Sequence, residues 1–421
     1  MLRCSNPNCK QRRATASQTA SNTAHPLCTS LTHRSPVLLW ASFRPYPTAD
    51  DLWHRHGFED SAELEVRSDI IIADRYQVDG PLGQGAFGHT FRCIDLEYKR
   101  DVCVKVVKNC KFTFDGGLAE IKVLSQLTEH WNESKGDIEP PFVRLLDYAY
   151  YKEHLLIVTE LLGETLENHL RFRTTESTGG CFSPAVQAAQ LTQLLETLEF
   201  MHGIGIAHCD VKPDNICVKV DDPSVIKLID YGACVCTNDT LNSYMQQRWT
   251  RAPEVMLGMV PGLDAKKMDV WSVACTAVQL HVGYPVFRGD SVAAVLAAQQ
   301  AILGPHPRSF LENCNVDLCR MYFTPEDTLY EIRPAEHPQE PNVIYKLTPI
   351  STPLAQLLHA ADPLMLDLLM SMLSYAPGAR PSVTETLAHP FIAKYKRREE
   401  SNETTLCGHV YGHERIGEMR L

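Results

Sequence analysis

The 421-residue chain has no apolar run near the 18 or more residues that cross a bilayer; its longest candidate, around residues 154–162, is strand-sized. No apolar segment follows the opening "MLRCSNPNCKQRR", which argues against a secretory signal. The first 48 residues contain no Asp or Glu. Of the net charge of −11, they carry +6 and the remainder therefore −17. So acidic a body argues against nucleic acid and membrane as partners and leans toward basic ligands or substrates. Internal repeats are absent. The 15 cysteines are odd in number and scattered through apolar segments. That pattern excludes a disulfide framework and indicates reduced thiols inside the cell, in cytoplasm, nucleus or both.

Residues 1–50 are rich in Ser, Thr, Ala, Pro and Asn, show no sustained period, and read as a disordered extension. A mitochondrial transit peptide has a similar composition, but no amphipathic stripe supports that reading. Cys4, Cys9, Cys28 and His33 are spaced too loosely to read as a zinc site. From Tyr76 the character changes. "YQVDGPL", "TFRCIDL" and "DVCVKVV" have strand patterns, "LAEIKVLSQL" has helical spacing, and "FVRLLDYAYY" and "HLLIVTEL" return to strand. After Gly163 helices dominate: Leu191, Leu194, Leu195, Leu198 and Met201 share one face. "MDVWSVACTAVQL" and "DPLMLDLLMSML" are apolar enough to predict two buried helices. The fold class is α+β, with a small β-rich lobe, one main helix within it, and a larger helical lobe. The boundary falls near residues 159–163.

Three groups of residues carry chemistry. Gly83, Gly85 and Gly88 in "LGQGAFGHT" lie between two strands, where glycine permits positive φ and close approach of backbone N–H groups to phosphate. A strand follows rather than a helix, so this is not the dinucleotide-binding version. Lys105 sits amid Val102, Val104 and Val106 in a strand, where an ammonium either snorkels to water or needs a partner. Glu120 on the following helix is the candidate partner. In "HCDVKPDN", Asp210, Lys212 and Asn215 fall within six residues, and Asp230 opens "DYG" after the strand-like "VIKLI". Mg²⁺ takes hard oxygen ligands and keeps several waters, so one carboxylate, one amide oxygen and nucleotide phosphates suffice. A second aspartate can accept the acceptor's proton, and a lysine can steady the migrating phosphoryl group. This division of labour is the template for phosphoryl transfer.

In this order, with "APE" at 252–254, "DVWS" at 269–272 and "RPS" at 380–382, the motifs resemble those of the eukaryotic protein-kinase family. The resemblance covers residues 76–392. It implies a bilobal kinase fold with an N-lobe at 76–159, a hinge at 160–163 and a C-lobe at 164–392. Residues 51–75 then form a pre-domain segment and 393–421 a C-terminal tail. The resemblance further implies ATP and Mg²⁺ as cofactors. Asp210 would be the catalytic base, Lys212 its phosphate-steadying neighbour, and Asn215 and Asp230 the metal ligands. Lys105, paired with Glu120, would contact the α- and β-phosphates. Leu82, Thr90 and Cys103 would roof the adenine, Thr159 would be the gatekeeper, and Glu160 and Leu162 would offer hinge backbone. Glu254 and Arg380 match the family's buried ion pair, and Asp269 the aspartate that anchors the catalytic loop.

Departures refine the placement. Cys209 stands where most kinases have Arg, which removes the usual cationic pocket for a phosphorylated activation loop. Tyr231 replaces Phe, and its hydroxyl needs a partner if buried. "HCD" and "YMQQRWTRAPEVMLG" are similar to the CMGC group, most of all the dual-specificity tyrosine-regulated and homeodomain-interacting kinases, with the LAMMER kinases second. The resemblance aligns Tyr244 with an activation-loop tyrosine that, once phosphorylated, would bond Arg248 and Arg251. Arg251 also matches an arginine linked to tolerance of proline after the target residue, and Asp214 is placed to meet a basic residue upstream of it. The implied activity is serine/threonine protein phosphorylation, with autophosphorylation of Tyr244. The alternative is a pseudokinase that serves as a scaffold.

Overall fold

The computed structural model describes residues 63–171, 181–237, 239, 245–259, 262–333, 343–359 and 361–402, from 397 onward as backbone alone. Cys4, Cys9, Cys28, His33 and Tyr244 lie outside the described residues.

The N-lobe is a six-stranded antiparallel sheet ordered β1-β2-β3-β4-β6-β5. Its strands are β1 (Ile71–Ile72), β2 (Tyr76–Gln84), β3 (Gly88–Asp95), β4 (Arg100–Val107), β5 (Leu145–Tyr151) and β6 (His154–Glu160). Successive side chains on a strand face opposite ways. In β4, Val102, Val104 and Val106 therefore join Val78, Phe91, Cys93, Leu156 and Val158 in one core, while Cys103 and Lys105 face the other side. The ordered sheet begins upstream of Tyr76: Ile72 is fully buried, and Arg75 bonds both oxygens of buried Asp95 at 2.8 Å.

Helix α1 (Lys111–Lys135) crosses between β4 and β5 but does not share the sheet's core. Val123, Leu124, Leu127 and Trp131 pack instead into the large core below. Trp131 meets Phe200 and Phe142 edge-on, with centroids 4.9 and 5.9 Å away, and its indole N–H donates to Ile138 O at 2.7 Å.

The C-lobe is built on α3 (Pro184–Gly203) and α5 (Ala265–Val282), after the short α2 (Leu166–Arg171) and with the one-turn α4 (Pro253–Met256) between them. Ser183 caps α3 through Val186 N, with Pro184 in the first turn. The predicted leucine face of α3 is buried, and α5 is buried at every position from Met268 to Val282. Gly283 ends α5 at φ 86°, a left-handed stop that favours glycine. The second apolar helix, α7 (Pro363–Met372), follows α6 (Val292–Leu303) and differs from expectation. Met365, Leu368, Leu369 and Met372 are buried, whereas Met370 is nearly half exposed, so the helix buries one face rather than all. Helix α8 (Pro390–Asn402) runs past Ile392 and buries Phe391, Ile392 and Tyr395 in the same core.

Between the helices lie short hairpins. Strands β7 (Ile206–Ala207) and β10 (Val235–Cys236) pair, as do β8 (Ile216–Val218) and β9 (Ile226–Leu228). The segments between them bring the functional loops under the sheet. Among the described residues no helix is long and apolar enough to cross a membrane.

His306 is buried between Gln299, Gln300 and Tyr375, and burial pushes its imidazole down to about 3. The unfolded chain therefore takes up this proton first on acidification, so stability present above pH 6.5 is lost as pH falls toward 3. Chemical denaturation at pH 7.5 and pH 5.5 should show this histidine contributing roughly 1 kcal/mol of the loss. His306→Gln should flatten the slope; an unchanged slope removes the assignment.

Candidate active site

Lys105 leaves the sheet's far face and reaches two carboxylates. Its Nζ donates to Glu120 Oε2 on α1 at 2.7 Å and to Asp230 Oδ1 after β9 at 3.1 Å. The snorkelling alternative is thereby excluded. Burial lowers the ammonium's affinity for its proton, but Glu120 and Asp230 outweigh it and leave Lys105 above its ordinary range. Burial raises the Asp230 carboxyl, yet Lys105 and the cations beyond it hold it below its usual value. For fully enclosed Glu120 burial prevails over Lys105, and its carboxyl lies above the usual range. Asp230 is thus the readily ionised member of the pair.

The loop after β7 holds the second group. Lys212 Nζ donates to Asp210 Oδ2 at 2.7 Å. Asn215 Nδ2 donates to the same oxygen at 2.9 Å and to Asp210 O at 2.8 Å. These acceptors fix the amide, because its NH₂ must face them, and so its carbonyl oxygen faces the other way. Ile229, beside Asp230, donates its N–H to Asn215 O at 2.9 Å and ties the segments of Asn215 and Asp230 together. An ionised carboxylate and an oriented amide oxygen on adjoining segments are hard donors of the kind Mg²⁺ takes.

Asp269, on fully buried α5, positions this loop. Its carboxylate accepts from Cys209 N at 2.7 Å and His208 N at 2.8 Å, and lies 2.8 Å from His202 Nε2. Cys209 and Asp230 are both left-handed, at φ 63° and 62°. Such strain in a residue with a Cβ costs about 1–3 kcal/mol and persists only where surroundings impose it. Asp269 supplies that constraint at Cys209. The His208 ring packs edge-on against Tyr231, with centroids 5.1 Å apart. Tyr231 is fully buried, and its hydroxyl finds the partner it requires, donating to Leu228 O at 3.1 Å.

The glycine loop does not need the positive φ expected of it. None of Gly83, Gly85 and Gly88 has a positive φ. A Cβ on Gly88 would lie 2.1 Å from Val106 O, so the need there is close packing of β3 on β4. Gly85 N donates to Gly88 O at 2.9 Å and folds the loop tip back. Phe87 at that tip stacks on Phe112 of α1 at 5.8 Å, with Lys105 Nζ 5.8 Å from its centroid. Thr90 donates to Gly83 O at 3.2 Å, while Leu82 is half exposed at the rim. Cys103 lies opposite Thr159 across β4 and β6, and burial pushes its thiol up to about 11, so it stays neutral. Leu162 is partly buried against the large lower core.

Sequence reasoning missed Lys227, the centre of β9. It is 1% exposed and donates to Glu160 Oε1 and Glu139 Oε1, both at 2.8 Å. The signal that marked Lys105, a lysine among apolar strand residues, was present here too in "VIKLI".

The Tyr231 hydroxyl contributes one buried hydrogen bond, and Leu228 O keeps a second donor in Val143 N. Tyr231→Phe should therefore cost no more than about 1 kcal/mol in denaturant unfolding. A loss several times larger would show that the hydroxyl organises more than this contact.

The family model described as a protein kinase domain matches residues 76–392. The DYRK-family kinase pom1 of Schizosaccharomyces pombe is 31% identical over 80% of this chain and 29% of its own length. Dual specificity tyrosine-phosphorylation-regulated kinase 2 of Drosophila melanogaster is 27% identical over 83% of this chain and 45% of its own. Kinase 4 of the same name from Homo sapiens is 27% identical, over 82% and 63%. The chain thus spans under two thirds of each of these relatives. A solved kinase-domain crystal structure superposes with a TM-score of 0.67 at 24% identity, over 79% of this chain and 99% of that one, which establishes the fold. The chain belongs to the protein kinase family, and within it most resembles the dual-specificity tyrosine-phosphorylation-regulated kinases of the CMGC group.

Proposed function

We propose that the chain transfers the γ-phosphoryl group of ATP to serine or threonine of a protein, and phosphorylates its own Tyr244. The observation that carries this reading is Lys105, whose ammonium bridges a carboxylate of α1 and one from the strand end below. That arrangement offers a fixed cation beside a metal-competent carboxylate. Asp230 and the Asn215 amide oxygen would hold Mg²⁺, which when bound neutralises phosphate charge during transfer. Lys105 would steady the α- and β-phosphates, and the backbone of 83–88 would cover them. Asp210 Oδ2 would take the acceptor hydroxyl's proton, while Lys212, at 2.7 Å from it, would move onto the developing phosphoryl charge. Thr90 and Cys103 would roof the adenine, with Thr159, Glu160 and Leu162 along its edge.

Features beside the site support a protein acceptor. Gln246 is left-handed, at φ 65°, and Arg251 Nη2 bonds its carbonyl at 2.8 Å while Nε bonds Met245 O at 2.8 Å. A carbonyl so engaged does not reach for the N–H of the residue after the target, and proline, which lacks that N–H, loses nothing there. Asp214 is exposed beside Glu167, whose carboxyl is raised by burial and by Asp214, and this acidic edge suits a basic residue upstream of the acceptor. Arg248 spends Nη1 on Asp290 O at 2.7 Å, and its other nitrogens would receive a phosphate on Tyr244.

Transfer of γ-phosphate to a basic protein such as histone or myelin basic protein tests the reading. Asp210→Asn should lower kcat by roughly 10²–10⁴-fold. Equal incorporation by both would leave a binding module of the same fold. Mass spectrometry of the active enzyme should find phosphate on Tyr244 and none in Asp210→Asn.

A further inference from the structure

The structure assigns Lys227 a positioning role: its buried ammonium locks the adenine edge to the strand that carries Asp230. This rests on the reading of the cleft as a nucleotide site. Lys227 lies three residues before Asp230, between Ile226 and Leu228, and is almost wholly excluded from water. An ammonium there is tolerated only when paired, and its two partners come from the other side of the molecule's waist. Glu160 ends β6 at the hinge, and Glu139 lies between α1 and β5.

The hinge carboxylate has no slack. Glu160 Oε1 accepts from Lys227 and from Arg144 N, both at 2.8 Å, and Oε2 lies 3.3 Å from Arg144 Nη2. Glu160 N in turn donates to Arg144 O at 3.1 Å. Glu139 is held from outside by Lys219 at 2.9 Å, and the two lysines depress its carboxyl to about 2. Three residues along the same segment, just past β9, Asp230 meets Lys105. The segment 227–230 is therefore pinned to the upper lobe at both ends by ammonium–carboxylate contacts, one at the hinge and one at the phosphates. The second sets where the triphosphate sits. The first sets where the adenine edge lies relative to it, without touching the nucleotide.

Lys227→Met, Lys227→Arg and Glu160→Gln are compared with wild type in KM for ATP, kcat, and direct binding of Mg·ADP and Mg·tripolyphosphate. Lys227→Met should raise KM and the Mg·ADP dissociation constant about tenfold, with kcat within about twofold, because uniform binding is lost rather than transition-state contact. Tripolyphosphate has no adenine, and its binding should not move. Lys227→Arg should recover at least half of the ADP affinity. Glu160→Gln removes the charge of the same contact from the hinge side without leaving a buried anion, and should reproduce the selective loss even where Lys227→Met folds poorly. Equal weakening for both ligands, or an unchanged KM in Glu160→Gln, overturns the role. A wild-type chain that binds neither ligand overturns the nucleotide reading instead.

Discussion

A single ammonium shared by two carboxylates holds the cleft together. Lys105 comes from the sheet, Glu120 from the crossing helix and Asp230 from the segment below, and no other described contact joins these three elements at one atom. Each group would be costly alone in such an enclosure, since an unpaired buried charge costs several kcal/mol. Together they satisfy one another, and the same mutual dependence makes the arrangement specific. Shifting α1 away takes Glu120 from Lys105 and leaves the ammonium with Asp230 alone.

Below this contact the strain is supported from the core. The loop of Asp210 passes through left-handed Cys209, and the segment after β9 turns at left-handed Asp230. Neither residue favours that conformation. The first is imposed by Asp269, whose carboxylate bonds two consecutive backbone N–H groups from a helix buried on all sides. A fully buried helix is thus the footing for a strained, polar loop, so the precision of the site is drawn from the core of the fold.

Much of this was legible in the residues. The three valines around Lys105 announced a buried strand, and the cost of an ammonium there pointed to a partner. The leucine face of α3 and the apolar α5 marked the core. What was not legible follows from physics that spacing does not encode. None of the loop glycines needs a positive φ, and Gly88 turned out to matter for the clearance between β3 and β4, which depends on which strand lies alongside. Met370 emerges from α7 because packing neighbours, not composition, decide how much of an apolar helix is covered. Lys227 went unread because its partners, Glu139 and Glu160, are 88 and 67 residues away.

The aromatic seat of α1 has a mechanical corollary. Trp131, wedged against Phe142 and Phe200, fixes the helix's far end in the lower core, while Glu120 lies eleven residues nearer its start. At 1.5 Å per residue that is a lever of about 16 Å. A tilt of about 10° around the tryptophan would sweep Glu120 through roughly 3 Å, more than a hydrogen bond can stretch. The fulcrum thus gives this chain an angular throw, in which a slight rocking at the tryptophan would be magnified into the making or breaking of its central charge contact.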